Sequence, residues 1–216
     1  MVFPERLFEF YKYAIFAVFA VVIAQSFPES IAVFIPLNNL LTYAGIENVL
    51  ASILVYSFII TSWIGYFLSI SKNPHSESKL GTLRFALDLF TLYQFYYVIK
   101  LSSKIEYHGE IFSWVLPAIF MTFLVWDIVK YFELRHEPKR DKDDRRNRTL
   151  ITILFLAALI IQSLIFNFVI PKLPPLLYDG NNVWNIIFIL SSMIIVTLYR
   201  WRKRTTFRMK RRNLKK

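Results

Sequence analysis

The chain reads as an all-α, polytopic membrane protein with six transmembrane helices, both termini in the cytoplasm and a basic cytoplasmic tail. Three observations carry that reading. Hydrophobic residues make up 56% of its 216 positions and aromatics 18%, more apolar surface than a water-soluble fold of this length buries. Mainly apolar windows recur at residues 8–25, 48–70, 82–101, 111–132, 150–170 and 183–199, each close to the roughly 20 residues that cross about 30 Å of hydrocarbon. The basic residues fall almost entirely on one side of these windows. Because the windows are apolar on all faces instead of alternating, a transmembrane barrel is excluded.

The first window opens with Glu5, Glu9 and Lys12, a poor basic flank for a secretory signal, so it is expected to remain as a helix although Ala24 and Ser26 precede a plausible cleavage point. After it, Leu37, Leu40, Leu41 and Ala44 recur at helical spacing before Gly45, which predicts a short helix in the outer interface. The third window begins with Arg84 and Asp88, and the fourth ends with Asp127 and Lys130. Pro117 is the one proline well inside a span. It is expected to bend the fourth helix and to release the carbonyl near Ser113 from its backbone donor. The mixed-charge run from Glu133 to Thr149, with Pro138, reads as a solvated hinge between a four-helix and a two-helix part.

Orientation follows from the lysines and arginines. Counting Arg6, the loops of one side and the tail, 21 bases fall on one side, against Lys100, Lys104 and Lys172 on the other, with Lys12 and Lys130 inside spans. The positive-inside rule then places both termini in the cytoplasm. No repeat or low-complexity linker divides the chain, so residues 1–200 form one transmembrane domain and 201–216 a polybasic tail. A multi-pass protein of the plasma membrane is the expected setting.

The charged residues inside spans share a depth. Glu9 and Lys12 on the first span, Arg84 and Asp88 on the third, and Asp127 and Lys130 on the fourth all lie near the cytoplasmic boundary. Each charge costs on the order of 2.5 to 3.5 kcal/mol at a bilayer centre, so these six are expected to pair or to snorkel. Asp88 is expected to find a base in Arg84, Lys130 or Lys12. Two readings stay open: a structural ion-pair layer that fixes helix register, or the wall of a water-filled vestibule that handles an ion or a proton. Deeper polar residues, namely Gln94, Gln162, Ser163, Asn167 and Asn185, are expected to bond between helices.

Catalytic and cofactor chemistry find little footing. There is no cysteine, and His75, His108 and His136 all fall in loops, which leaves no axial pair for a membrane haem. No HExxH, GxSxG, glycine-rich phosphate loop or GxxxG pattern occurs. The Asp141–Asp144 cluster is surrounded by bases and reads as a solvated charge run. No cofactor or metal is expected, and an enzymatic role is not favoured.

Arg200, Arg202, Lys203, Arg204, Arg208, Lys210, Arg211 and Arg212 make the tail strongly basic. They are expected to face lipid and to anchor the last helix against anionic headgroups, each contributing about 1 kcal/mol near a negatively charged leaflet. Nucleic acid is an unlikely partner, because the bases come with no folded reading module; a protein partner or a homo-oligomer fits as well. Glu5-Arg6-Leu7, Phe10 and Phe16-Ala17 resemble the start of the six-helix organellar and prokaryotic potassium channels, whose first helix carries Arg-x-x-x-Phe-Ser-Asp. Tyr11 and Lys12 stand where that motif has Ser-Asp, and no functional residue is carried over. The functional expectation is a small ion or solute transporter, or a channel subunit. The alternative is a non-transporting scaffold that recruits partners or anionic lipid through its basic surface.

Overall fold

The computed structural model describes residues 4–34, 42–70, 78–102, 105–133, 139–172 and 181–213. Every regular element among them is helical: α1 (Pro4–Phe34), α2 (Tyr43–Ile70), α3 (Lys79–Ser102), α4 (Ile105–Glu133), α5 (Lys139–Leu164) and α6 (Asn181–Asn213). A π turn (Ile165–Val169) and a 3-10 turn (Ile170–Lys172) close α5. Among the described residues, four segments are long and apolar enough to cross a membrane: Tyr43–Ile70, Gly109–Glu133, Arg145–Lys172 and Val183–Lys203. These carry the second, fourth, fifth and sixth of the expected spans. The third is less apolar, because Asp88, Lys100, Gln94 and three tyrosines dilute it.

Several boundaries differ from the sequence reading. The fourth helix starts at Ile105, and the last runs on through the basic residues to Asn213. The expected hinge is a helix from Lys139 onward, because the residues after Pro138 are mostly good helix formers and nothing in them stops the turn. The expected interfacial helix falls mostly on residues 35–41, outside the described residues.

Side-chain bonds fix the direction of each helix. At one end Arg84 of α3 pairs with Glu133 of α4, Lys130 of α4 meets Ser69 of α2, and Asp127 of α4 meets Thr152 of α5 and Lys203 of α6. At the other end Asn185 of α6 meets Glu47 of α2, and Ser163 of α5 meets Ser113 of α4. Successive helices from α2 to α6 therefore run in alternating directions. The stack of Tyr11 on Phe85, with centroids 4.3 Å apart, brings the start of α1 to the first of these ends. We call it the basic end.

Packing is led by aromatic rings. Phe58 lies at the centre, stacked on Phe120 at 5.7 Å and edge-on to Phe95 at 5.8 Å, while Phe120 meets Tyr199 at 4.6 Å. Phe58, Phe112, Leu116, Ile119 and Phe120 are fully buried. Inside a membrane such packing acts through close van der Waals contact, because lipid supplies no hydrophobic drive between helices. Many large apolar side chains remain exposed around the bundle, among them Leu154, Phe168 and Ile194. That surface suits a lipid solvent better than water.

Candidate functional site: a charged cavity at the basic end

All five helices from α2 to α6 send polar groups into the basic end. On α4, Asp127 and Lys130 lie one turn apart, and Glu133 follows a turn later, so one face carries an acid, a base and an acid. Asp127 is 9% exposed and Lys130 5%. The hydroxyl of Thr152 donates to Asp127 Oδ2 at 2.7 Å, and Lys203 Nζ donates to the same oxygen at 2.9 Å. Lys130 Nζ donates to Ser69 Oγ at 2.6 Å and stands 4.8 Å from the Trp126 ring centre. Arg84, though 1% exposed, forms its ion pair with Glu133 and also lies over Trp126, at 5.7 Å. Asp88 is buried beside Tyr66.

The last helix contributes more than a tail. Arg200 reaches inward to donate to Ser62 Oγ, and its guanidinium sits 5.2 Å from the Phe58 ring, 5.5 Å from Phe123 and 5.2 Å from Tyr199. Flat rings on several sides hold the planar guanidinium in place while compensating its charge. Ser62 in turn donates to its own Phe58 carbonyl at 2.6 Å. The sequence reading of Arg200 and Lys203 as lipid-facing is therefore corrected. They follow the buried Val196 and Tyr199 at helical spacing and continue the inward face of α6. Arg202 is exposed, as expected; the side chains of Arg204, Arg208, Lys210, Arg211 and Arg212 lie outside the described residues.

Between these groups lies a cavity of about 180 Å³. Asp88 and Asp127 both line it, with Arg148, Arg200 and Lys203 as its bases and Thr61, Ser62, Tyr66, Ser69 and Thr91 among its hydroxyls. The rest of the wall is apolar and aromatic, including Ile15, Phe19, Trp63, Phe95, Phe123 and Trp126. Toward the middle of the bundle it meets the ring cluster of Phe58, Phe95 and Phe120, which are at most 3% exposed.

Of the six expected layer residues, the structure brings Arg84, Asp88, Asp127 and Lys130 together in the interior, while Glu9 is exposed and Lys12 half-buried on α1. Sequence reasoning missed Glu133, Arg148 and Thr152. Each had been placed at a span end or in a loop, although Glu133 repeats the Lys130 spacing and Thr152 lies a turn beyond Arg148. It also missed Glu47, which is fully buried at the opposite end, where Asn185 donates to it at 3.3 Å.

Apart from Glu47, the bonds that join helices at that opposite end are between neutral groups. Pro117 has no N–H to give the Ser113 carbonyl, and Ser163 of α5 donates to that carbonyl at 2.6 Å, as well as facing its own Leu159 carbonyl at 2.9 Å. Asn167, inside the π turn, donates to Ser113 Oγ at 2.7 Å and to the Ser163 carbonyl at 2.8 Å. One turn earlier, Gln162 donates toward the Phe188 carbonyl and the hydroxyls of Ser191 and Ser192, all within 2.7–2.9 Å. Thus the carbonyl released by proline is satisfied by the neighbouring helix.

Among the described residues, no group of three or more His, Asp or Glu is placed to hold a metal ion. No family model, curated protein or solved structure matches the chain.

Proposed function

We propose that the protein is a small multi-pass transporter or channel subunit of the plasma membrane, and that the charged cavity is its vestibule for an ion or a small polar solute. The single observation that carries this reading is that Asp88 and Asp127, from different helices, line one cavity together with three bases. Charges at membrane depth are costly and concentrate where solute is handled. In this reading the six helices all span, the basic end faces the cytoplasm, and the ring cluster at Phe58 is the closed gate that a conformational change must open. Because the chain has no native cysteine, single cysteines at positions 76 and 141 test the orientation directly. An impermeant thiol reagent applied outside intact cells is expected to leave both unlabelled.

Flux into liposomes tests the activity. The purified protein is expected to pass at least one solute among K⁺, Na⁺, H⁺ and small anions above empty vesicles, and Asp127→Asn is expected to change the rate or its pH dependence while the protein still folds. Flux equal to empty vesicles for every solute would sink the reading. It would leave the alternative, a scaffold that recruits partners or anionic lipid through its basic surface. That second reading is favoured by the closed Arg84–Glu133 and Asp127–Lys203 ion pairs, which a purely structural layer also requires.

A further inference from the structure

The cavity is unbalanced in charge. Three bases, Arg148, Arg200 and Lys203, line it against two acids, Asp88 and Asp127. In the adjoining layer Arg84 is paired with Glu133, so that layer leaves the excess at the cavity in place. Asp127 already accepts from both Thr152 and Lys203. In surroundings this apolar, an excess of fixed positive charge is weakly screened and favours an anion over a cation. Arg200 is also held in a fixed orientation by Ser62 and three rings, which removes much of the entropy a flexible base loses on binding.

Part of the wall is apolar and also faces the outside of the bundle. Trp63, Ile64 and Leu68 line the cavity and are 38%, 39% and 50% exposed, so on that side a single layer of side chains separates the cavity from the surface that a membrane would cover with acyl chains. Its size, about 180 Å³, is somewhat larger than the roughly 150 Å³ apolar cavity that accepts a benzene ring. A bare monatomic ion would leave most of that space empty. One oxyanion head with the first part of an apolar body would fill it.

We infer that the cavity binds an amphiphilic anion, with its phosphate or carboxylate head against Arg148, Arg200 and Lys203 and its apolar body against Phe19, Trp63 and Leu68. This rests on reading the cavity as a binding site, and it names the class of solute that the proposed vestibule takes. Entry between Trp63 and Leu68 would bring such a molecule from the membrane as a lipid, and entry at the basic end would bring it as a soluble organic anion. The same head and body serve in either case.

Trp63 and Trp126 report on occupancy, because both line the cavity. The full-length protein in nanodiscs of zwitterionic lipid is titrated with bromine-tagged dodecyl phosphate, and tryptophan quenching is followed. Saturable quenching is expected. Trp63→Phe should remove a large part of it, and Arg148→Gln should weaken the affinity by about tenfold, the scale of one charge-assisted contact. Arg200→Lys serves as a second variant in case Arg148→Gln unfolds, since it keeps the charge and loses the fork; it too should weaken binding. Equal quenching by bromine-tagged dodecyltrimethylammonium, or quenching unchanged in both variants, overturns the inference. Brominated phosphatidic acid built into the disc tests the lipid source, and competition by octanoate or hexyl phosphate tests the soluble one; success of either supports the class and names its origin. Saturable anion binding without flux of any solute keeps this inference and removes the transport reading. Cation flux without anion binding keeps transport and overturns this inference.

Discussion

The two ends of the bundle solve the same problem by different chemistry. Both must hold polar groups away from water, and each helix from α2 to α6 contributes to one or both. At the basic end the groups are charged, and the side chains that hold them leave a cavity of about 180 Å³. At the opposite end one acid, Glu47, is buried beside Asn185, and across the α4–α5–α6 junctions Ser113, Ser163, Asn167 and Gln162 bond directly through neutral amides and hydroxyls. Neutral partners satisfy one another at contact distance. Long charged side chains reach their partners from farther out, and the room they need becomes space that a solute can use. Space lined by charged groups is therefore found at the basic end, and close bonding between neutral groups at the α4–α5–α6 junctions of the other.

The contrast is broken most severely by removing one member of a buried ion pair. Glu133→Gln takes from the interior guanidinium of Arg84 the carboxylate it pairs with, and a loss of about 3 kcal/mol is expected in detergent unfolding. The double variant Arg84→Met with Glu133→Leu should recover part of that loss, because both members of the pair are then gone. Losses that simply add would mean that the two residues do not stabilise each other.

A smaller effect is expected at the neutral end, where the cause can be isolated. Ser163→Ala removes the donor to the Ser113 carbonyl and should cost about 1 kcal/mol. In a Pro117→Ala background the helix regains its own N–H for that carbonyl, so Ser163→Ala should then cost clearly less. An identical cost in both backgrounds would show that the proline is not the reason for the serine. The smallest change is Gln162→Leu, whose bonds to α6 average about 0.6 kcal/mol each in membrane proteins; a shift in melting temperature of a few degrees at most is expected.

Much of the class and part of the site were legible in the chain. The apolar windows announced long helices, and four of them are long and apolar enough to cross a membrane. Counting helical rise sets Arg84 and Asp88 near the start of α3 and Asp127 and Lys130 near the end of α4, and all four are buried in the structure. Pro117 gave away its carbonyl in advance, since a missing N–H is a covalent property that no packing alters. The partner in that bond was not legible, because Ser163 is separated from Ser113 by half a helix pair and a long charged segment.

What the sequence by itself determined is therefore what is summed or counted along the chain: helical class, the length of the apolar segments, the position of each charge along its helix and the defect at Pro117. What only the tertiary structure decided is direction around each helix axis. The helices are apolar on nearly every side, so their sequences carry little rotational phase, and nothing in the tail distinguishes Arg200 and Lys203, which turn into the cavity, from Arg202, which turns out. That choice is made where α6 meets α2, α4 and α5. The rings of Phe58, Phe123 and Tyr199 accept a cation and Asp127 accepts a lysine, and each of those positions is supplied by a different part of the chain.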